Sequence, residues 1–216
     1  MKWIYFVLFT IGVLIIFSGG YLTNRSNYNV KNLDSQGENL ICFGNSLTVG
    51  EGADSGQSYP ATLAKKLSFP VINSGGGGDT SYNALQRLQK DVLAKNPFLV
   101  IVEFGANDYL KGIPQEETLE NIERIIEEIQ QAGAAVVLLE VKITFPRDKY
   151  ISSLKKIAKK KGAFLIPDIL KGIHGNPKLM SPDTMHPNGE GYKVLAEKVF
   201  KAIEPLLKNK KHIILD

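Results

Sequence analysis

The sequence predicts an α/β fold in which a parallel sheet is covered by helices on both sides. Short apolar runs rich in Val, Ile, Leu and Phe alternate with longer amphipathic stretches through most of the 216 residues. The runs are nearly continuous in their apolar character, which is typical of strands buried on both faces. Strands that alternate with helices in this way form parallel sheets with helical crossovers.

Five runs are predicted to be strands and five stretches are predicted to be helices. The strands are residues 39–43, 69–72, 98–104, 134–141 and 163–166. The helices are residues 59–67, 81–95, 115–132, 148–161 and 189–207. The third helix shows the pattern clearly, because its apolar side chains recur at three- and four-residue steps with charged residues between them. These side chains are Leu119, Ile122, Ile125, Ile126 and Ile129.

The N-terminal segment differs from the rest of the chain. Residues 3–22 are uncharged and about as long as the ~20 residues that cross a bilayer as a helix. We favour an uncleaved signal-anchor for residues 1–22, and the alternative is a signal peptide with Ser18 and Gly20 before its cleavage site. Either segment would carry the domain out of the cytoplasm, to the periplasm or cell surface of a bacterium, anchored to the membrane or secreted.

The remainder divides into a tether, one domain and a tail. Residues 23–38 are polar without apolar periodicity, which predicts a tether. Residues 39–208 contain all the predicted strands and helices, and residues 209–216 form a charged tail.

Composition and charge exclude several classes of protein. The chain is 44% hydrophobic and 22% charged, as expected for a globular protein with a sizeable core. Its net charge of +4 is modest and forms no basic stripe with readout residues, so nucleic acid is not an expected partner. Cys42 is the single cysteine, which excludes an intrachain disulfide, and its apolar surroundings predict a packed thiol.

Four polar segments occur where the sheet is expected to bind ligands. Ligands of parallel sheets bind beyond the carboxyl ends of the strands. Segments of this kind follow the first three strands and precede the last helix, and each alone has an ordinary explanation as a turn or a helix cap. They are GNSLT at 44–48, NSGGGGDTS at 73–81, GAND at 105–108 and DTMHP at 183–187. Together they supply the parts of an acyl-transfer site.

Ser46 is the candidate nucleophile, and a hydroxyl nucleophile requires a neighbouring base. The chain has three histidines. His212 lies in the charged tail, and His174 has no obvious carboxylate nearby in sequence. His186 follows Asp183 by three residues, so a bent loop brings the carboxylate to the imidazole.

An acyl-transfer site also needs donors for the oxyanion of its tetrahedral intermediate. A backbone N–H in the glycine run can approach closely because no side chain obstructs it, and the Asn107 amide can supply another donor. Loss of one such donor typically costs ~10²–10³ in turnover.

In this order, the four segments resemble the sequence blocks of the SGNH hydrolases, the GDSL-type esterases and lipases. The resemblance covers about residues 39–207 and is strongest to the bacterial thioesterase, lysophospholipase and arylesterase members. It implies a flavodoxin-like three-layer α/β/α sandwich around a five-stranded parallel sheet, and it implies no metal or organic cofactor.

The resemblance also implies a role for each site residue. Ser46 would be the nucleophile, and its own backbone N–H would belong to the oxyanion hole. Gly78 and Asn107 would give the second and third donors, and Asp183 and His186 would complete the triad.

Two departures from the family pattern stand out. Asn45 occupies the position at which the family usually has aspartate, and asparagine keeps the shape and hydrogen bonding but lacks the charge. Three further glycines, Gly75 to Gly77, precede Gly78 and either loosen the oxyanion loop or open room beside the acyl group.

The expected reaction is hydrolysis of acyl esters, such as lysophospholipids, fatty acyl esters, aryl esters or acyl thioesters. The alternatives are a deacetylase of cell-envelope carbohydrate and an inactive acyl- or glycan-binding module, the latter suggested by Asn45. A nucleotide-binding domain is disfavoured, because the glycine run lacks the Lys-Ser/Thr ending of a phosphate loop. Ile143 and Phe145 are candidates for the acyl pocket, with ordinary core packing as the alternative.

Overall fold

The computed structural model describes residues 29–142 and 148–208. The predicted signal-anchor, residues 23–28 of the predicted tether, the charged tail, Ile143 and Phe145 lie outside the described residues. Within the two described ranges, no helix has the length and apolar character that a membrane span requires.

Strands and helices alternate along the described chain. The strands are β1 (Asn39–Gly44), β2 (Val71–Gly75), β3 (Pro97–Glu103), β4 (Ala135–Leu139) and β5 (Phe164–Ile166). The helices are α1 (Ser46–Val49), α2 (Tyr59–Ala64), α3 (Ser81–Asp91), α4 (Ala106–Leu110), α5 (Gln115–Gln131), α6 (Asp148–Lys161) and α7 (Gly189–Ile203). Two 3₁₀ turns, Leu93–Lys95 and Glu204–Leu207, follow α3 and α7.

The five strands form one parallel sheet in the order β2-β1-β3-β4-β5. Leu40 of β1 pairs with Val71 of β2 on one side and with Leu99 of β3 on the other. The prediction of an α/β fold with a five-stranded parallel sheet is confirmed.

Side chains of the sheet alternate between two hydrophobic clusters, one on each face. Leu40 and Cys42 pack with residues of α2 and α7, whereas Ile41 and Phe43 pack with residues of α3, α5 and α6. This alternation follows from the two-residue period of a strand and places helices on both faces. Cys42 is fully buried, and burial raises the pKa of its thiol to about 12, so it remains a protonated core residue.

Several boundaries differ from the sequence predictions. The second strand begins at Val71 because Pro70 has no N–H to donate to the sheet, and Phe69 instead stacks edge-on against Phe98. The last helix ends at Ile203 because Pro205 cannot continue the pattern of helical hydrogen bonds. The predicted helix over 81–95 is α3 followed by a separate 3₁₀ turn.

Residues 29–38 of the predicted tether lie against the domain. Val30 is buried in the same cluster as Leu40. The side-chain amide of Asn32 donates to the carbonyls of Gln130 and Ala134 at 2.9 and 3.1 Å. The packed domain therefore begins before residue 39.

Candidate active site

The serine at the exit of β1 lies on a tight turn. A Cβ at Gly44 would come within 2.1 Å of Thr48 Oγ1, so only glycine fits where the strand ends. Asn45 caps the next helix, because its Oδ1 accepts a hydrogen bond from Leu47 N at 3.0 Å. Ser46 is the first residue of α1 and lies at the carboxyl edge of the sheet.

A continuous chain of hydrogen bonds joins Asp183, His186 and Ser46. Oδ2 of Asp183 is 2.7 Å from Nδ1 of His186, and Nε2 of His186 is 2.9 Å from Oγ of Ser46. The His186 side chain is largely buried. The structure thus brings together three residues that the sequence places up to 140 positions apart.

The loop that carries His186 stabilises Asp183 as a carboxylate. Asp183 accepts hydrogen bonds from the backbone N–H of His186 at 2.9 Å, the Ser181 hydroxyl at 2.6 Å and the His186 ring. These donors, with the backbone N–H of His186 contributing most, hold the pKa of Asp183 well below its usual range. Asp183 is therefore ionised at any pH at which the domain is expected to work.

The predicted oxyanion donors lie on neighbouring loops. Gly78 has a positive φ of 72°, a conformation that favours glycine. Within the described residues, neither the N–H of Ser46 nor that of Gly78 has a hydrogen-bond acceptor. Asn107 Nδ2 donates to the carbonyl of Asp79 at 2.9 Å, which places the amide directly beside the glycine loop.

Arg87 of α3 holds the glycine loop against the end of β1. Its Nε donates to Asp79 Oδ2 at 2.6 Å, Nη1 donates to the Ser74 carbonyl at 2.9 Å, and Nη2 donates to the Gly44 carbonyl at 3.0 Å. The planar guanidinium satisfies acceptors from both loops at once. Arg87 therefore fixes the distance between the loop of Gly78 and the loop of Ser46.

A second link joins the glycine loop to the loop after β3. The carboxylate of Asp108 is fully buried and accepts hydrogen bonds from Ser81 N, at 3.0 and 3.1 Å, and from Ser81 Oγ. Lys111 Nζ donates to the Gly78 carbonyl at 2.7 Å. The segment after β2 and the segment after β3 consequently form one connected unit.

Glu103 is a fully buried carboxyl group at the end of β3. Asn45 donates to it twice, from Nδ2 to Oε1 at 3.0 Å and from its backbone N to Oε2 at 3.4 Å. Burial raises the pKa of Glu103 to about 8, although the hydrogen bonds from Asn45 act in the opposite direction. The asparagine therefore has a donor function that an ionised aspartate would lack.

A cavity of about 280 Å³ opens beside Ser46 and His186. Half of its other lining side chains are apolar, and the polar ones include Lys142 and the unpredicted His174. The apolar lining residues are Leu47, Ala106, Leu110, Val141, Leu170 and Met185. A cavity of this shape and polarity fits an apolar group attached to the carbonyl that Ser46 would attack.

Four polar residues of this region were not predicted from sequence: Glu51, Arg87, Glu103 and Lys111. Glu103 left a signal, since it is the one charged residue within the apolar run 98–104. The other three residues occur in polar loops or among the polar residues of amphipathic helices, where charged side chains are common. The sequence therefore does not single them out. Within residues 29–142 and 148–208, no group of three or more His, Cys, Asp or Glu side chains could hold a metal ion.

Comparison with known proteins identifies similar sequences and structures. Residues 42–194 match the model of the GDSL-like lipase/acylhydrolase family. The chain is 29% identical to esterase TesA of Pseudomonas aeruginosa over 181 residues, which cover 79% of this chain and 90% of the relative. It is 27% identical to thioesterase 1/protease 1/lysophospholipase L1 of Escherichia coli over 177 residues, which cover 79% and 85%. The crystal structure of the psychrotrophic esterase EstA from Pseudoalteromonas sp. superposes with a TM-score of 0.72 at 26% identity, covering 80% of this chain and all of that one.

Proposed function

The chain belongs to the GDSL-like lipase/acylhydrolase family and is a carboxylic ester hydrolase, and we propose that it cleaves acyl esters through a triad of Ser46, His186 and Asp183. The observation that carries this proposal is the hydrogen-bond chain from Asp183 through His186 to Ser46, at 2.7 and 2.9 Å. The second of these distances is one at which a base removes a proton from a hydroxyl, and the first is one at which a carboxylate orients that base.

The proposed reaction proceeds in two halves. Ser46 Oγ attacks the acyl carbonyl while its proton passes to Nε2 of His186, and the Asp183 carboxylate stabilises the imidazolium that forms. His186 then gives the proton to the leaving oxygen or sulfur, and the bond from that atom to the acyl carbon breaks. Water, deprotonated by His186, attacks the acyl-enzyme, releases the carboxylic acid and regenerates Ser46.

The oxyanion of each tetrahedral intermediate would be bound by Ser46 N, Gly78 N and the Asn107 amide. Support comes from the two backbone N–H groups, which have no acceptor among the described residues. Donors that are already positioned need no rearrangement as negative charge develops on the carbonyl oxygen. The hydrogen bond from Asn107 to Asp79 keeps its amide close to the same loop.

The proposed substrates are esters or thioesters of an apolar acyl chain, with lysophospholipids, fatty acyl esters and aryl esters as the classes considered. The apolar cavity beside Ser46 supports this choice. At about 280 Å³ it lies near the lower end of the ~300–1,000 Å³ that is usual for small-molecule pockets, which favours short or medium acyl chains. Ile143 and Phe145 remain candidates for extending this lining.

The proposed location is outside the cytoplasm. The support is the uncharged segment of residues 3–22, which precedes the domain of residues 39–208. If residues 3–22 anchor the full chain, it should stay with membranes after an alkaline wash, whereas a chain that begins at residue 29 should be soluble. Full-length protein recovered in the soluble fraction would argue against the anchor.

Replacement of Ser46 tests the function directly. Ser46→Ala and His186→Ala should each lower kcat for p-nitrophenyl butyrate by about 10⁴-fold or more, because nucleophile and base act as a unit. Ser152→Ala removes an exposed hydroxyl on α6 and serves as the matched control, with wild-type activity expected. Retained activity in Ser46→Ala would remove Ser46 from the mechanism.

The dependence of kcat/KM on acyl length distinguishes the substrate classes. We expect a maximum between butyryl and octanoyl in a series of p-nitrophenyl esters from acetyl to palmitoyl. Activity confined to the acetyl ester would instead favour the carbohydrate deacetylase. A folded protein that binds these esters without hydrolysing any would favour the inactive binding module.

A further inference from the structure

The carboxylate of Glu51 lies beside the atoms that react in the proposed mechanism. Its Oε2 is 3.7 Å from Nε2 of His186, and the same nitrogen is 2.9 Å from Ser46 Oγ. Ser46 and His186 line the apolar cavity, and Glu51 does not. The carboxylate therefore flanks the reacting atoms from outside the cavity.

The fold fixes the backbone of Glu51 in this place. Its N–H donates to the Ser46 carbonyl at 3.1 Å, and its own carbonyl accepts from the hydroxyl of the fully buried Tyr192 at 2.8 Å. At the next residue, Gly52, a Cβ would come within 2.8 Å of the His186 Cβ. The segment thus packs directly against His186, and only the side chain of Glu51 is free to adjust.

The same carboxylate borders the glycine loop. A Cβ at Gly77 would lie 2.4 Å from Oε1 of Glu51. Glu51 therefore occupies the space between His186 and the loop that carries Gly78. The extra glycine at position 77 leaves room for this side chain.

The position of His186 limits how far the leaving group can be from Glu51. The leaving atom receives its proton from Nε2, so it must come within ~3 Å of that nitrogen. Since Oε2 is 3.7 Å from Nε2, the leaving atom lies within about 7 Å of the carboxylate in any productive pose. Two lysines also border the site: Lys111 donates to the Gly78 carbonyl at 2.7 Å, and Lys142 lines the cavity.

We propose that Glu51 is a specificity-determining residue that favours esters of cationic alcohols over esters of anionic alcohols. The inference rests on the proposed function, because it takes His186 as the group that protonates the leaving oxygen. When the acyl chain fills the cavity, the alcohol extends on the side of Glu51. Glu51 forms and breaks no bond, and it acts only through its charge on the alcohol portion of the substrate.

Three butyrate esters of similar shape test the proposal. Butyrylcholine has a cationic alcohol, 3,3-dimethylbutyl butyrate has its neutral counterpart, and 2-sulfoethyl butyrate has an anionic alcohol. Hydrolysis is followed by titration of the released butyric acid for wild type, Glu51→Gln and Glu51→Lys. For each ester, the ratio of variant to wild-type kcat/KM cancels the intrinsic reactivity of that ester.

The expected result is a change that depends on the charge of the alcohol. Relative to the neutral ester, Glu51→Gln should lower kcat/KM for the cationic ester by about two- to fivefold and raise it for the anionic ester by a similar factor, given the partial exposure of the carboxylate. Glu51→Lys should reverse the preference of the wild type. Both effects should shrink in 0.5 M NaCl because salt screens exposed charges.

Glu128→Gln is the matched control, since Glu128 is a partly exposed carboxylate in the last turn of α5, where it pairs with Arg124 one turn earlier. This turn leads into the start of β4, so it lies at the amino ends of the strands, whereas Ser46 lies at their carboxyl ends. The relative kcat/KM values of the three esters should therefore equal those of the wild type. A Glu51→Gln variant that changes all three esters by one common factor would overturn the charge-selection proposal and leave the esterase function intact. A wild-type enzyme that hydrolyses none of the three esters or the p-nitrophenyl series would overturn both.

Discussion

The side-chain amide of Asn45 donates a hydrogen bond to the buried carboxyl of Glu103 across 3.0 Å, while its carbonyl oxygen caps the helix that begins with Ser46. One asparagine therefore links the nucleophile loop to the end of the neighbouring strand. Glu103 has no exposed surface, so its protonation state must affect the stability of this edge of the sheet.

Glu103→Gln should remove a pH dependence of stability. Burial raises the pKa of Glu103 to about 8, whereas glutamate in an unfolded chain has a pKa of about 4.3. Between these values the folded state holds the extra proton, so this residue lowers the free energy of unfolding by up to about 1.4 kcal/mol per pH unit as the pH rises towards 8. Urea unfolding at pH 5, 6.5, 8 and 9 should show wild type losing stability relative to Glu103→Gln up to about pH 8. A difference between the two proteins that stays constant over this range would contradict the prediction, and Glu128→Gln, which removes a partly exposed carboxylate, provides the control.

Asn45→Asp should be tolerated at low pH and destabilising at high pH. An aspartate still caps the helix at Leu47, but it brings a second carboxyl to Oε1 of Glu103, where two ionised groups repel each other. We expect a loss of about 3 kcal/mol in the free energy of unfolding at pH 9 and a smaller loss at pH 5, where a shared proton bridges the pair.

The double variant N45D/E103Q is the control for that substitution. The glutamine amide can donate to the new carboxylate, so most of the stability at pH 9 should return. If the double variant is as unstable as N45D alone, repulsion between carboxyl groups is not the cause.

Asp183→Asn should lower kcat without unfolding the protein. Asparagine can still accept hydrogen bonds from the backbone N–H of His186 and the Ser181 hydroxyl, but it cannot stabilise the imidazolium. We expect kcat for p-nitrophenyl butyrate to fall by about 10³–10⁴-fold with KM changed little. Adding Asp183→Asn to Ser46→Ala should produce almost no further loss, because the triad acts as a unit. Losses that multiply in the double variant would argue that Asp183 acts independently.

Arg87→Lys should reduce kcat more than it changes KM. Lysine cannot reach Asp79 and the Gly44 carbonyl together, so the glycine loop loses its link to the serine loop. A misplacement of about 1 Å at an oxyanion donor costs up to about 10²-fold in rate, and we expect kcat to fall about 10- to 100-fold. Arg124→Lys changes an exposed arginine on α5 and should have no effect. Equal changes in kcat for both variants would show that Arg87 does not position the loop.

Much of the fold and of the candidate site was predictable from sequence because those signals are local. Apolar runs and amphipathic periods define strands and helices over a few residues, and the confirmed parallel sheet follows from their alternation. The family resemblance is likewise confirmed. The structure brings Ser46, Asp183 and His186 together as the sequence predicted, and their catalytic roles stay predictions until the variants are measured.

Contacts between distant segments were not predictable. His174 has no neighbouring carboxylate in the sequence, yet it lines the cavity because the loop after β5 folds over the same edge of the sheet. Arg87 looks like an ordinary exposed position of a helix until α3 packs its side chain across the ends of two strands.

By itself, the sequence determined which residues could do chemistry and at which edge of the sheet they would lie, because strand direction and loop position are encoded along the chain. Only the tertiary structure decided which polar side chains face one another: Glu51 beside His186, and Asn45 against Glu103. The physical reason is that such pairings depend on the strand order β2-β1-β3-β4-β5 and on side-chain packing between the layers. Neither of these can be inferred from a short stretch of sequence.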